Sequence, residues 1–237
     1  MKKISFKKGL INAFYNLKWR CNACDEEIFN GKYFCDNCEK LLPYVKENKC
    51  YHCGRITAYS MEYCDSCIEK NVNFTKARSV FSYKPPINIL VQNLKYENKL
   101  YLSNIFCDYF IEIFLSNFTD TDIITFVPAT AKSLKVRGYN QSKVLADKLS
   151  NKVNVPVLST AMKVKDTMHQ VGLNANQRRE NLKGVFKLEK VDLNGKNILL
   201  IDDVLTTGTT ADILAGLYRK NGANKVYVLT IASVSKV

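Results

Sequence analysis

Ile198-Leu199-Leu200-Ile201-Asp202-Asp203-Val204-Leu205-Thr206-Thr207-Gly208-Thr209-Thr210 is the stretch from which the 237-residue chain is read. Four consecutive apolar residues describe a strand buried on both faces, as in a parallel sheet. Two carboxylates follow where that strand should emerge, then a turn of hydroxyls and glycine, then helical periodicity from Ala211 to Tyr218. Ligands of open α/β sheets sit at the carboxyl ends of strands, and helix N-termini receive phosphate through free N–H groups. Thr206, Thr207, Gly208, Thr209 and Thr210 offer N–H groups and hydroxyls to a phosphate monoester, with Gly208 permitting close backbone approach. Asp202 and Asp203 would repel phosphate, so they suit ribose hydroxyls or a Mg²⁺ held through water. Helix capping alone would explain one acid and one hydroxyl, but not the whole run. No Gly-Lys-Ser/Thr follows, which excludes a nucleoside-triphosphate P-loop.

The chain is long enough for one sizeable α/β domain and a small appendage, and 46% hydrophobic residues argue for a folded core. The formal charge is +13, with 14 Lys/Arg against 9 Asp/Glu in residues 1–78. Zinc held by four thiolates adds −2, so two such sites would bring +13 to about +9. The excess is spread out, which permits nucleic-acid contact without demanding it. The start is lysine-interrupted and lacks a small-residue cleavage site, and no stretch has the apolar length of a membrane span. The expected location is the cytoplasm. Residues 1–18, with apolar side chains at Leu10, Ile11, Phe14 and Leu17, fit a short amphipathic helix.

Cys21, Cys24, Cys35 and Cys38 recur 29 residues later as Cys50, Cys53, Cys64 and Cys67. Both sets read Cys-x2-Cys-x10-Cys-x2-Cys, an internal duplication of a four-thiolate unit that suits one or two structural Zn²⁺. Disulfides are the rival, disfavoured by a reducing compartment. Sequential pairing follows from the duplication, with a cross-braced pairing as the alternative. Tyr33, Phe34, Tyr51, Tyr59 and Tyr63 either shield these small cores or stack on single-stranded bases.

The expected divisions are an N-terminal segment at 1–20, a duplicated zinc-binding domain at 21–70, a linker at 71–75, and an α/β domain at 76–237. In that domain, strands are expected at 77–83, 123–127, 155–164, 185–188 and 225–233. Helices are expected after Pro85-Pro86, over 99–118, up to about Leu149 and from Thr209. Cys107 should be a packed thiol. Lys132, Lys135 and Arg137 concentrate positive charge in a loop after the 123–127 strand, which is either an ordinary basic loop or a place where pyrophosphate could be held. The polar segment 165–181, with His169, Gln170, Arg178 and Arg179, reads either as a lid beside the cleft or as a solvated helix.

The 198–210 run matches, position by position, the phosphoribosyl pyrophosphate (PRPP) motif of type I phosphoribosyltransferases. Arg137-Gly138-Tyr139-Asn140-Gln141 resembles the Arg-Gly-aromatic-Asn-Gln loop of ComF/GntX-like competence proteins. Gln170-x2-Leu173-x4-Arg178-x2-Asn181 resembles their second signature, and the cysteine array ahead of the α/β domain resembles their domain order. The resemblance implies a type I phosphoribosyltransferase-like parallel sheet, helices on both faces, and a duplicated zinc-ribbon-like domain in front. It implies Mg²⁺-PRPP as ligand, with Asp202 and Asp203 on the ribose, residues 206–210 on the 5′-phosphate, and Ala129, Thr130, Lys132 and Arg137 near pyrophosphate. Two functions follow. One is a role in DNA uptake and natural transformation, with contacts to single-stranded DNA and competence-machinery proteins. The other is a metabolic phosphoribosyltransferase acting on a nitrogenous base.

Overall fold

The computed structural model describes residues 20–29, 31–45, 48–164 and 184–234. The expected helix at 1–18 and the polar segment with His169, Gln170, Arg178, Arg179 and Asn181 lie outside the described residues.

Strands β1 (Lys76–Ser82), β2 (Ile123–Phe126), β5 (Asn197–Leu205) and β6 (Lys225–Ser233) form one sheet in the order β1-β6-β5-β2. Every pair in it is parallel. Parallel strands need covering on both sides, and alternation along β5 provides for that. Leu199 and Ile201 join one apolar core with helices α3 (Ile87–Tyr96), α4 (Leu102–Asn117) and α6 (Gln141–Val153). Ile198 and Leu200 join the other with helix α7 (Thr209–Lys220). A buried hydroxyl chain stitches the second face: Thr125 Oγ1 lies 2.7 Å from Thr160 Oγ1, which lies 2.9 Å from the Tyr218 hydroxyl. Cys107 is buried within α4, and burial pushes its thiol up to about 11.

Residues 155–164 are not one strand, contrary to the periodicity. Pro156 and Leu158 pair with Ile124 at the edge of β2, through Ile124 N–H to Pro156 O at 2.9 Å and Leu158 N–H to Ile124 O at 3.0 Å. The chain then turns away, and β3 (Ala161–Lys163) runs antiparallel to β4 (Phe186–Leu188) in a separate ribbon. The basic loop after β2 is also more ordered than expected. It forms helix α5 (Ala131–Arg137), started by Thr130 Oγ1 accepting from Ser133 N–H and ended by Gly138 at φ +79°.

The duplicated cysteine units sit around the β1 edge of the sheet. They contain the two short helices α1 (Asp36–Lys40) and α2 (Asp65–Lys70). Cys21 and Cys35 of the first unit pack in the α4-side core, with Phe34, Val80 and Phe81. Cys50, Cys53 and Cys67 of the second pack in the α7-side core, with Phe74 and Ala77. Between them the chain pairs with β1 itself, through Val45 N–H to Val80 O at 3.0 Å and Ser82 N–H to Pro43 O at 2.7 Å. That pairing caps a strand edge which would otherwise present unpaired backbone groups.

Candidate functional site

The crevice opens between the carboxyl ends of β2 and β5. After β2 the chain passes to α5 and then to α6 on one face; after β5 it passes to α7 on the other. Neighbouring strands whose continuations diverge in this way leave a ligand crevice. β5 runs four residues beyond Ile201, the expected end of the strand, so the acid pair lies inside it. On the β6 side Asp202 is still in register with Thr230, whereas β2 ends opposite Ile201. The carboxylates therefore border the crevice on the β2 side.

Asp203 is 5% exposed and takes two donors on one oxygen: Lys95 Nζ at 2.8 Å and Gln141 Nε2 at 2.7 Å. Asp202 is half-buried. Its Oδ1 accepts from Ser142 Oγ at 3.2 Å and from the Asp203 N–H at 2.9 Å. Burial, and then the neighbouring Asp203 charge, push the Asp202 carboxyl up to about 7. The Lys95 ammonium is held above its usual range: burial opposes the charge, and the two aspartates more than offset it.

Five residues of the 137–142 segment serve this arrangement. Arg137 lies over the Tyr96 ring, 4.7 Å from its centroid, and reaches Gln141 Oε1 at 3.2 Å. The Tyr139 hydroxyl donates to Leu94 O, tying the segment to α3 just before Lys95. Asn140 donates to Val127 O at 3.0 Å while its Oδ1 caps α6 through the Ser142 and Lys143 N–H groups. Gln141 and Ser142 then present their side chains to the two acids. Lys95, Gln141 and Ser142 were not expected as site residues. The motif containing Gln141 was visible, but Lys95 lies some hundred residues before the acid pair with no local pattern to mark it.

Following β5, Thr206, Thr207 and Gly208 make the turn, and Gly208 at φ +77° is the cap residue of α7. A glycine is required there because the left-handed region is strained for other residues. Thr207 Oγ1 lies 2.8 Å from Thr209 Oγ1, and Thr209 is buried. The turn thus carries the N-terminal N–H groups and dipole of a twelve-residue helix. Ala129 and Thr130 lie at the carboxyl end of β2, with the Thr130 hydroxyl engaged in capping α5. Lys132 and Lys135 are exposed on α5, no residue of which is buried.

The cysteines assemble as two groups, Cys21, Cys24, Cys35, Cys38 and Cys50, Cys53, Cys64, Cys67, each with its sulfurs within 4.8 Å of one another. This is the sequential pairing. Sulfur separations of 3.8 Å for Cys24–Cys35, 3.7 Å for Cys53–Cys64 and 4.0 Å for Cys50–Cys67 are far too long for disulfides. They match the edge of about 3.8 Å of a tetrahedron with Zn–S near 2.3 Å. Knuckle amides also point at sulfur, as from Cys64 N to Cys50 Sγ at 3.2 Å. These residues fit structural zinc, and four protein ligands would leave no open coordination position for chemistry.

Comparison with known proteins follows the same lines. Residues 10–68 match the double zinc ribbon domain family. The chain is 30% identical over 231 residues to Competence protein F of Haemophilus influenzae, covering 92% of this chain and 98% of that protein. It is 31% identical over 215 residues to DNA utilization protein YhgH of Escherichia coli O157:H7, covering 88% and 94%. A purine phosphoribosyltransferase structure from Pyrococcus horikoshii aligns at 16% identity and TM-score 0.35, over 56% of this chain and 75% of that one. Parallel sheet and paired four-cysteine groups define an α/β protein with a double zinc ribbon in front. The chain belongs to the ComF family of competence proteins.

Proposed function

We propose that the crevice binds Mg²⁺-PRPP and that the protein serves the handling of imported DNA. The observation that carries the ligand is one continuous element: a strand bearing a pinned acid pair, leading within three residues to a glycine-capped helix N-terminus. Residues 206–210 receive the 5′-phosphate, and Asp202, the more open acid, faces the ribose hydroxyls. Asp203, held by Lys95 and Gln141, sets the position of its neighbour. Thr130, Lys132 and Arg137 approach pyrophosphate from α5. Mg²⁺ bound with the ligand neutralises charge on the leaving pyrophosphate.

In the transfer reaction a nitrogen lone pair forms a bond to C1 of the ribose. The C1–oxygen bond breaks, its electron pair departs with pyrophosphate, and the nitrogen loses its proton. Positive charge builds on the sugar beside the acids and negative charge on the group beside α5. Incubation with Mg²⁺, PRPP and a panel of bases, with pyrophosphate release as the readout, tests the transfer. Release with one base assigns an acceptor; release with none confines the site to binding.

The names of the relatives support the DNA role, and charge favours α5 as the contact surface. Described residues 20–45 carry three Lys/Arg against five Asp/Glu, and residues 48–75 carry three of each, so the ribbon is not a basic platform. Of its aromatics Phe34 is fully buried and Tyr33 is tied to Asp108, while Tyr51, Tyr59 and Tyr63 are exposed. Single-stranded DNA binding that falls with added salt, and falls again in Lys132→Ala/Lys135→Ala, is the expected result. Salt-independent binding, or binding unchanged in the double variant, would remove α5 from the role.

A further inference from the structure

We infer that Arg55, a residue of the second zinc ribbon, completes the phosphate site by holding the 206–210 turn from beneath and charging it. The inference rests on the phosphate reading of that turn given above. Arg55 is 8% exposed, and its guanidinium Nη2 donates to Thr206 O at 2.8 Å, across 151 residues of sequence. The same nitrogen lies 3.6 Å from where a Cβ on Gly208 would stand, which puts the charge at the cap of α7. Its Nε is buried and, among the described residues, has no hydrogen-bond partner.

A buried guanidinium is costly unless anions compensate it; the negatively charged second cysteine group beside Arg55 meets part of that need, and an anion at the turn would meet the rest. Here the cation and the positive end of the α7 dipole converge on one turn, and both favour the same occupant, the dianionic phosphate of a sugar phosphate. The ribbon delivers this side chain with little freedom. Gly54 sits at φ +70°, and a Cβ there would fall 2.6 Å from Ala77 O, so the knuckle is seated against the backbone of β1. The knuckle closes through Cys50 N–H to Arg55 O at 2.9 Å and Gly54 N–H to Cys50 O at 2.8 Å. On the far side of the second cysteine group, Asn73 grips the first turn of α7, with N and Nδ2 at 2.6 and 2.9 Å from Asp212 Oδ1. The ribbon is thereby a fixed part of the phosphate site, with Arg55 as its positioning residue.

The test uses the full zinc-loaded chain and two probes, ribose 5-phosphate alone and pyrophosphate with Mg²⁺, each titrated by calorimetry. Arg55→Gln is expected to weaken ribose 5-phosphate by about tenfold or more, the loss typical of a charged hydrogen-bonding group. Pyrophosphate binding should stay within about twofold of the unaltered chain, a split that general loosening of the fold would not produce. Arg55→Lys keeps the charge without the forked geometry, and should fall between the two for ribose 5-phosphate. It also carries the test if Arg55→Gln loses zinc: a loss for ribose 5-phosphate alone supports the inference, and unaltered affinity overturns it. Arg55→Gln binding ribose 5-phosphate as the unaltered chain does, or losing both probes equally with zinc retained, overturns it as well. An unaltered chain that binds neither ribose 5-phosphate nor PRPP would instead refute the phosphate reading itself.

Discussion

The Lys95 ammonium stands 2.8 Å from the Asp203 carboxylate, with only 21% and 7% of the two side chains exposed. Removing one partner of such a pair leaves a buried charge and costs about 3–5 kcal/mol. Lys95→Met should therefore lower unfolding free energy by about 3 kcal/mol in urea titrations. The double variant Lys95→Met/Asp203→Asn should recover much of the loss, because the orphaned charge is gone. A single variant as stable as the unaltered chain would show that the pair holds nothing.

The raised Asp202 pKa makes stability depend on pH. A carboxyl that binds its proton more tightly when folded stabilises the fold below its unfolded pKa, near 4. That contribution is lost as pH rises through about 7. Without ligand, melting temperature should fall between pH 5 and 8, and Asp202→Asn should flatten this dependence and be the more stable protein at pH 8. Parallel melting curves for the two proteins across that range would contradict the assignment.

Gly54 is fixed both by its backbone angle and by Ala77 O. Gly54→Ala should cost about 2 kcal/mol or more through strain and clash. Zinc should be lost from the second site at lower temperature. Gly31, at φ +67° but with open space around it, is the control, and its alanine variant should cost only about 1 kcal/mol. Equal losses at the two glycines would mean that the seating on β1 does not matter.

Native mass spectrometry should find two zinc ions per chain, since both cysteine groups close to tetrahedral dimensions. Cys67→Ser should retain one, with a lower melting temperature for the whole chain because Cys67 lies in the same apolar core as α7. Two ions retained in that variant would show that Cys67 is not needed to hold its ion.

Much of this was legible in the sequence because it is written locally. The 198–210 run names its own strand, acids, turn and helix, and the 29-residue duplication names both metal groups. Helix α5 was missed although Thr130 and Gly138 mark its two ends. Lys95, Ser142 and Arg55 were beyond reach for a different reason. Each acquires its role only when a distant element folds against β5 or the turn after it, and a single lysine, serine or arginine bears no sign of that. The strand expected at 155–164 failed because its apolar residues serve two different partners, β2 and β4.

The most direct measurement of the central claim is calorimetry of Mg²⁺-PRPP on the zinc-loaded chain, alongside Asp202→Asn/Asp203→Asn. Saturable binding at one site per chain, abolished in a double variant that still folds, is the predicted result. No binding heat with the unaltered chain across several temperatures, or full binding by the double variant, would contradict it.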